Sequence, residues 1–261
     1  MTLAIMLDRV DLTYQSRAGA VPALSGLDLA IQPGSFVSIL GPSGCGKSTI
    51  IKLVSGLLSP TAGTVALDGR PVEGPHKGIG IVFQKPTLLP WKSVLSNVLI
   101  STHGRNTDRR TATARAQEML RMVQLGGFEN HYPHELSGGM QQRVALARAL
   151  MHDPKVLLMD EPFAALDALT REEMALELMR LWHQNEKTVI FVTHSIPEAV
   201  FLSDRVVVLS PRPARIVDDV EIHLPRPRSL DTMASPAFTR LCTQLRQRLL
   251  LTGVQKADAA A

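Results

Sequence analysis

The stretch Gly41–Thr49 reads GPSGCGKST and narrows the possible folds of this chain more than any other segment. It satisfies the pattern GxxxxGK[ST], in which glycines let successive backbone N–H groups wrap a phosphate. Its flanks matter as much as its letters. Phe36–Leu40 (FVSIL) is predicted to be a buried strand and Lys47–Leu57 a helix, so the loop joins a strand to a helix N-terminus. That terminus adds positive potential to the cradle. In such a unit Gly41, Ser43, Gly44, Cys45, Gly46, Lys47, Ser48 and Thr49 surround the nucleotide phosphates. Lys47 reaches the β- and γ-phosphates, and the Ser48 hydroxyl is placed for Mg²⁺. Cys45 fills a variable position of the loop and is expected to be a small filler rather than a redox group.

The remaining pattern agrees with a strand-and-helix fold. Leu3 to Val65 reads as short apolar stretches separated by turns, Asp68-Gly69 marks a tight turn, and Gly78–Phe83 is predicted to be another strand. Between Lys85 and Pro154 the character changes, with helical patterns over Asp108–Leu125 and Ser137–Met151. Val156–Met159 and Val189–Val192 are continuous β-prone apolar runs, with a helical pattern at Met174, Leu178, Leu181 and Trp182 between them. Runs of that kind suit parallel strands covered on both faces. The expected class is therefore α/β with a parallel sheet and an inserted helical block at about 86–154. After Ser210 come two proline- and arginine-rich segments, PRPARIV and LPRPR, and a last helix is expected over Phe238–Leu251.

Composition removes several alternatives. The chain has 261 residues with 45% hydrophobic content, enough for a sizeable core. No window holds the roughly 18 uninterrupted apolar residues a membrane span needs. Asp8, Arg9 and Asp11 leave no signal-peptide core, so a cytoplasmic chain is expected. The two cysteines, Cys45 and Cys242, have no metal-ligand spacing. Twenty-eight basic against 24 acidic residues, with 4% aromatics, is a poor footprint for nucleic acid, and no such partner is expected.

Two further motifs carry chemistry. In VLLMDEP, Val156–Pro162, a buried strand ends in adjacent acids. Asp160 then supports Mg²⁺, while Glu161 is the candidate general base that polarises the attacking water. In LSGGMQQR, Leu136–Arg143, a cap-like serine and two glycines open a second helix whose N-terminus is ready for an anion. Two phosphate-binding helix starts for one nucleotide suggest that the second serves a nucleotide held by another copy of the chain.

These motifs, with AALD at Ala164–Asp167 and THS around His194, stand in the order found in ABC transporter nucleotide-binding subunits, which the chain resembles over about residues 5–217. The resemblance implies a P-loop NTPase (RecA-like) core with an N-terminal antiparallel β subdomain and the helical insert, followed by a C-terminal extension from 218 to 261. It implies that Tyr14 stacks on adenine, that Gln84 senses Mg²⁺ and the attacking water, and that His194 contacts the γ-phosphate. It further implies that Ser137, Gly138 and Gly139 bind the γ-phosphate of ATP in the partner subunit, with Asp167 at the shared interface.

Within that family, FQKPTLLPW (Phe83–Trp91), the following SNV and EAVFLSDRVVVLSPRPARIV (Glu198–Val217) are similar to the ATPases of nitrate, sulfonate and taurine importers. The likeness implies a peripheral protein on the cytoplasmic face of the cell membrane, working as a dimer with two transmembrane permease subunits. An extracytoplasmic solute-binding protein would act indirectly. Pro86–Trp91 is expected to touch the membrane subunit, because a proline-broken apolar loop is poorly suited to burial. A DNA-maintenance ATPase, the alternative, would place a long coiled coil between the phosphate loop and LSGG, and no sustained heptads occur there.

Overall fold

The structure is a computed structural model and describes residues 4–17, 19–103, 108–185 and 187–258. Strands β1 (Ile5–Ser16) and β2 (Gly19–Ile31) form a long antiparallel hairpin. Short strands are expected in this region, but register shifts after Leu7, Val10 and Leu12 only break the period-2 pattern without ending the strands. Strand β3 (Phe36–Leu40) leads into the glycine loop and helix α1 (Lys47–Val54). The helix is shorter than the expected Lys47–Leu57. Gly56 adopts φ 75°, and a Cβ there would lie 2.1 Å from the Gly74 carbonyl oxygen, so only glycine fits this stop.

Strands β4 (Ala62–Leu67) and β5 (Arg70–Pro71) meet at the Asp68-Gly69 turn, where both residues have positive φ, and complete a sheet of order β2-β1-β4-β5. After β6 (Ile79–Val82) the chain leaves the sheet for α2 (Val94–Leu99), α3 (Arg109–Met122) and α4 (Gly138–Leu150). It returns as β7 (Val156–Asp160), α5 (Ala168–Asn185), β8 (Thr188–Thr193), α6 (Ile196–Leu202), β9 (Arg205–Leu209) and β10 (Ile216–Glu221). Helices α7 (Leu230–Ala234) and α8 (Pro236–Asp258) close the described chain.

The second sheet has the order β10-β9-β3-β8-β7-β6 and is parallel except at β10. Its central strands are apolar without alternation because both faces are covered. Phe36, Leu157, Met159 and Phe191 pack with the helices on one face, while Val37, Ile39, Leu158 and Ile190 pack with α1 and the antiparallel sheet on the other. Strands β3, β6, β7 and β8 all point their carboxyl ends the same way, the end at which open α/β sheets hold ligands.

The boundary expected at 217 runs through β10, which pairs with β9 from Ile216 to Glu221. Beyond it, Arg226 donates twice to Asp204 Oδ1, at 3.0 and 2.7 Å, and Phe238 and Leu245 are buried in the core. The extension is therefore packed on the domain and is not a detached tail.

Candidate functional site

The phosphate loop is shaped by its glycines. A Cβ at Gly41 would stand 3.0 Å from Cys45 Sγ and 3.1 Å from Leu209 Cβ, and Gly46 has φ 129°. Cys45 is 2% exposed, and burial raises its thiol above the ordinary value against the opposing Lys47 charge. A neutral buried thiol agrees with its reading as filler. Ser43 and Gly44 form the exposed crest of the loop. No side chain caps the start of α1, which leaves that terminus without a competing acceptor.

Lys47 is 4% exposed, and its Nζ donates to the carbonyls of Gly41 and Pro42, each at 2.9 Å. The same Nζ is 3.5 Å from Glu161 Oε1. Glu161 follows β7 and adopts φ 44°, a left-handed backbone that costs a non-glycine residue about 1–2 kcal/mol. Its N–H is held by the Val192 carbonyl at 2.9 Å, which locks the strained residue to the neighbouring strand. The other carboxylate oxygen, Oε2, lies 3.0 Å from His194 Nδ1 and 3.5 Å from Gln84 Nε2. Residues from the ends of β6, β7 and β8 and from α1 thus converge on one carboxylate.

Beside it, Ser48 Oγ donates to Asp160 Oδ1 at 2.9 Å. Burial pushes the Asp160 carboxyl up from its ordinary value, and the Glu161 charge adds to the shift against the Ser48 hydrogen bond and Lys47. Tyr14, half-buried on β1, places its hydroxyl 3.1 Å from Thr49 Oγ1. That contact puts the ring beside the loop helix.

The other predicted residues form a second group. Ser137 caps α4 by accepting from the Met140 N–H at 3.3 Å, and Ser137 and Gly138 are exposed. A Cβ at Gly139 would lie 2.8 Å from Thr170 Cγ2, so the start of α4 rests on the start of α5. Asp167 caps α5, accepting from the Thr170 N–H at 3.0 Å and its hydroxyl at 2.7 Å. These residues pack on one another rather than on the phosphate loop of their own chain.

Sequence reasoning missed what fixes the segment after Gln84. Asn97 is fully buried; its Oδ1 accepts from Leu89 N–H at 2.7 Å, and its amide donates to the carbonyls of Leu89, Lys92 and Ser93. Arg148 of α4 donates to Pro86 O at 2.7 Å and Thr87 O at 2.9 Å. This frame leaves Trp91 71% exposed. A buried asparagine inside SNV was the available signal, since a buried amide must find partners.

The sequence family described as ABC transporter matches residues 24–164. An uncharacterized ABC transporter ATP-binding protein of Methanocaldococcus jannaschii is 47% identical over 228 residues, covering 87% of this chain and 85% of the relative. The taurine import ATP-binding protein TauB of Burkholderia pseudomallei is 49% identical over 209 residues, 80% of each chain. The aliphatic sulfonates import ATP-binding protein SsuB of Bacillus cereus is 41% identical over 227 residues, 87% of this chain and 89% of the relative. Among solved structures, the dimeric post-hydrolysis state of the ATP-binding cassette MJ0796 bound to ADP and Pi superposes with a TM-score of 0.75 at 35% identity, covering 85% of this chain and all of that one.

Proposed function

This chain belongs to the ABC transporter family, and from that premise we propose that it is the ATP-binding and hydrolysing subunit of an importer for a small solute of the nitrate, sulfonate or taurine type. The observation that carries the reading is the meeting of Lys47, Gln84 and His194 on the single carboxylate of Glu161, at the carboxyl ends of parallel strands. A base must lie within reach of a proton, and its neighbours must hold the charge that develops. Glu161 takes the proton of the attacking water, Gln84 orients that water, and His194 contacts the γ-phosphate. Lys47 exchanges the Glu161 carboxylate for phosphate oxygens, which frees the base.

Ser48 and Asp160 fit Mg²⁺. They offer two hard oxygen donors, and a buried carboxyl with a raised pKa is a group that a cation relieves. Among the described residues no group of three or more His, Cys, Asp or Glu could hold a metal, so Ser48 and Asp160 would hold the ion only in part. Bound there, the ion would neutralise phosphate charge, with Gln84 as a further residue to hold it.

The helix start at Ser137, Gly138 and Gly139, exposed at its first two residues, and Asp167 serve a second copy, each ATP lying between one copy's loop and the other's α4. The dimeric state of the MJ0796 cassette supports the pairing of two copies. Trp91 and the loop before it dock on a permease subunit, which makes the chain a peripheral protein of the cytoplasmic membrane face. No helix among the described residues is long and apolar enough to cross a membrane. The names of the TauB and SsuB relatives favour taurine or an aliphatic sulfonate as cargo over nitrate. The permease pair and an extracytoplasmic solute-binding protein are separate chains.

Steady-state phosphate release with parallel ATP-binding measurements tests the reading. Glu161→Gln lowers turnover by about 10²- to 10⁴-fold while ATP stays bound, and Lys47→Ala loses the binding itself. Parental turnover in Glu161→Gln would refute the assignment of the base.

A further inference from the structure

One buried carboxylate near the site is fully engaged although the proposed reaction gives it no part. Glu198, in the first turn of α6, is 9% exposed. Its Oε2 accepts from Thr193 Oγ1 at 2.6 Å, and that hydroxyl oxygen accepts from the Ser195 N–H at 3.0 Å. Ser195 Oγ in turn accepts from the Glu198 N–H at 3.4 Å. His194 is therefore held between two residues that are both tied to Glu198.

The same carboxylate faces the second group of predicted residues. Glu198 Oε1 lies 3.5 Å from Arg171 Nε, and Arg171 Nη2 donates to the Leu166 carbonyl at 3.0 Å. Leu166 immediately precedes Asp167, whose own carbonyl accepts from the Arg171 N–H at 3.0 Å. An acid in the first turn of a helix is favoured by the helix dipole whatever its other duties. That preference accounts for a carboxylate at this position, but not for a guanidinium that pairs with it by charge while hydrogen-bonding the 164–167 turn. Burial raises the Glu198 carboxyl above its ordinary value, so keeping a carboxylate here is costly unless its partners are used.

We propose that Glu198 and Arg171 are positioning residues: they set His194 against Glu161 and tie that setting to the 164–167 turn, so a second copy docking there is felt at His194. The inference rests on the ATPase reading above. Its physical basis is a chain of three contacts, a hydrogen bond from Arg171 to Leu166, a 3.5 Å ion pair between Arg171 and Glu198, and a hydrogen bond from Thr193 to Glu198, through which a movement of the turn reaches the histidine. Misplacing a reacting group by about 1 Å can cost about 10²-fold in rate.

The test uses the full chain and compares Arg171→Gln, Glu198→Gln and the double variant. Glutamine at 198 can still accept from Thr193 and loses only the charged link. Each single change is expected to lower kcat by about tenfold to a hundredfold with the ATP dissociation constant within about twofold. The double variant falls no lower than the worse single, as for residues acting as one unit. A merely structural role would weaken ATP binding and thermal stability together, with losses that multiply.

An unchanged kcat in Arg171→Gln, or multiplying losses, overturns the proposal. Should Glu198→Gln fail to fold, Arg171→Gln at its part-exposed site decides the question alone. A parent that does not hydrolyse ATP overturns the ATPase reading and this inference with it. A Glu161-dependent parent that ignores Arg171→Gln overturns only the inference.

Discussion

Replacing Gly139 by alanine tests how tightly the start of α4 rests on the start of α5. The new Cβ would stand 2.8 Å from Thr170 Cγ2 and 3.6 Å from Leu166 Cδ2. Thr170 cannot simply swing its methyl away, because Asp167 holds both its hydroxyl, at 2.7 Å, and its N–H, at 3.0 Å. Overpacking of this kind costs about 1–3 kcal/mol. Against it stands the gain of replacing a helical glycine, up to about 1 kcal/mol. The net expectation is a loss of about 1 kcal/mol, or a fall in Tm of about 2–4 °C for a chain near this size.

Thr170→Ser removes the obstructing methyl and keeps the hydroxyl that Asp167 needs. In that background Gly139→Ala should become neutral or stabilising, a coupling of about 1–3 kcal/mol between the two positions. Thermal unfolding of the parent, both single variants and the double variant, followed by circular dichroism, measures it. A Tm change for Gly139→Ala that is equal in the two backgrounds would refute the packing.

Two other perturbations follow from the same geometry. Arg228, 5% exposed, donates to the carbonyls of Val200, Phe201 and Ser203 at 3.1, 2.8 and 2.9 Å, while burial lowers its pKa to about 10. Arg228→Met strands those acceptors at the end of α6, and the urea midpoint should fall by the equivalent of about 2–4 kcal/mol; an unchanged midpoint would deny the C-terminal extension its buttressing part. Asp160→Asn should raise the Tm of the nucleotide-free protein at neutral pH. The raised Asp160 carboxyl keeps its proton to higher pH when folded than when unfolded, so the parent loses stability as pH rises through that window. The advantage of asparagine should accordingly vanish at pH below the ordinary aspartate range, and an advantage that persists there would contradict the role of burial.

Much of this was legible because local chemistry and tertiary need coincide. FVSIL, VLLMD and TVIFVT are apolar at almost every position because both faces of the sheet are covered, and each ends where a functional segment begins. Two central facts were not legible. Strand order β3-β8-β7-β6 brings Lys47, His194, Glu161 and Gln84 together, and order is a property of pairing rather than of any segment. A boundary at 217 cuts β10 because IVDDVE is polar on its outer side; its hydrogen bonds to β9 and the Arg205–Asp219 pair hold it in the sheet despite that composition. The Tyr14–Thr49 contact and the Arg171–Glu198 link span 35 and 27 positions of sequence, and only the fold joins them.

In the proposed dimer the loop from Gly41 to Thr49 is half of a site completed by Ser137 of a second copy. Sedimentation of the Glu161→Gln variant with ATP and Mg²⁺ tests it most directly. Moving a dimerisation equilibrium from 1:99 to 99:1 needs about 5.5 kcal/mol of differential binding, and blocked hydrolysis lets that state accumulate. Twice the single-chain mass with one ATP per chain is expected, returning to the single-chain mass when Ser137→Arg is added. A variant that stays single at saturating ATP, or that dimerises equally well with Ser137→Arg, would contradict it.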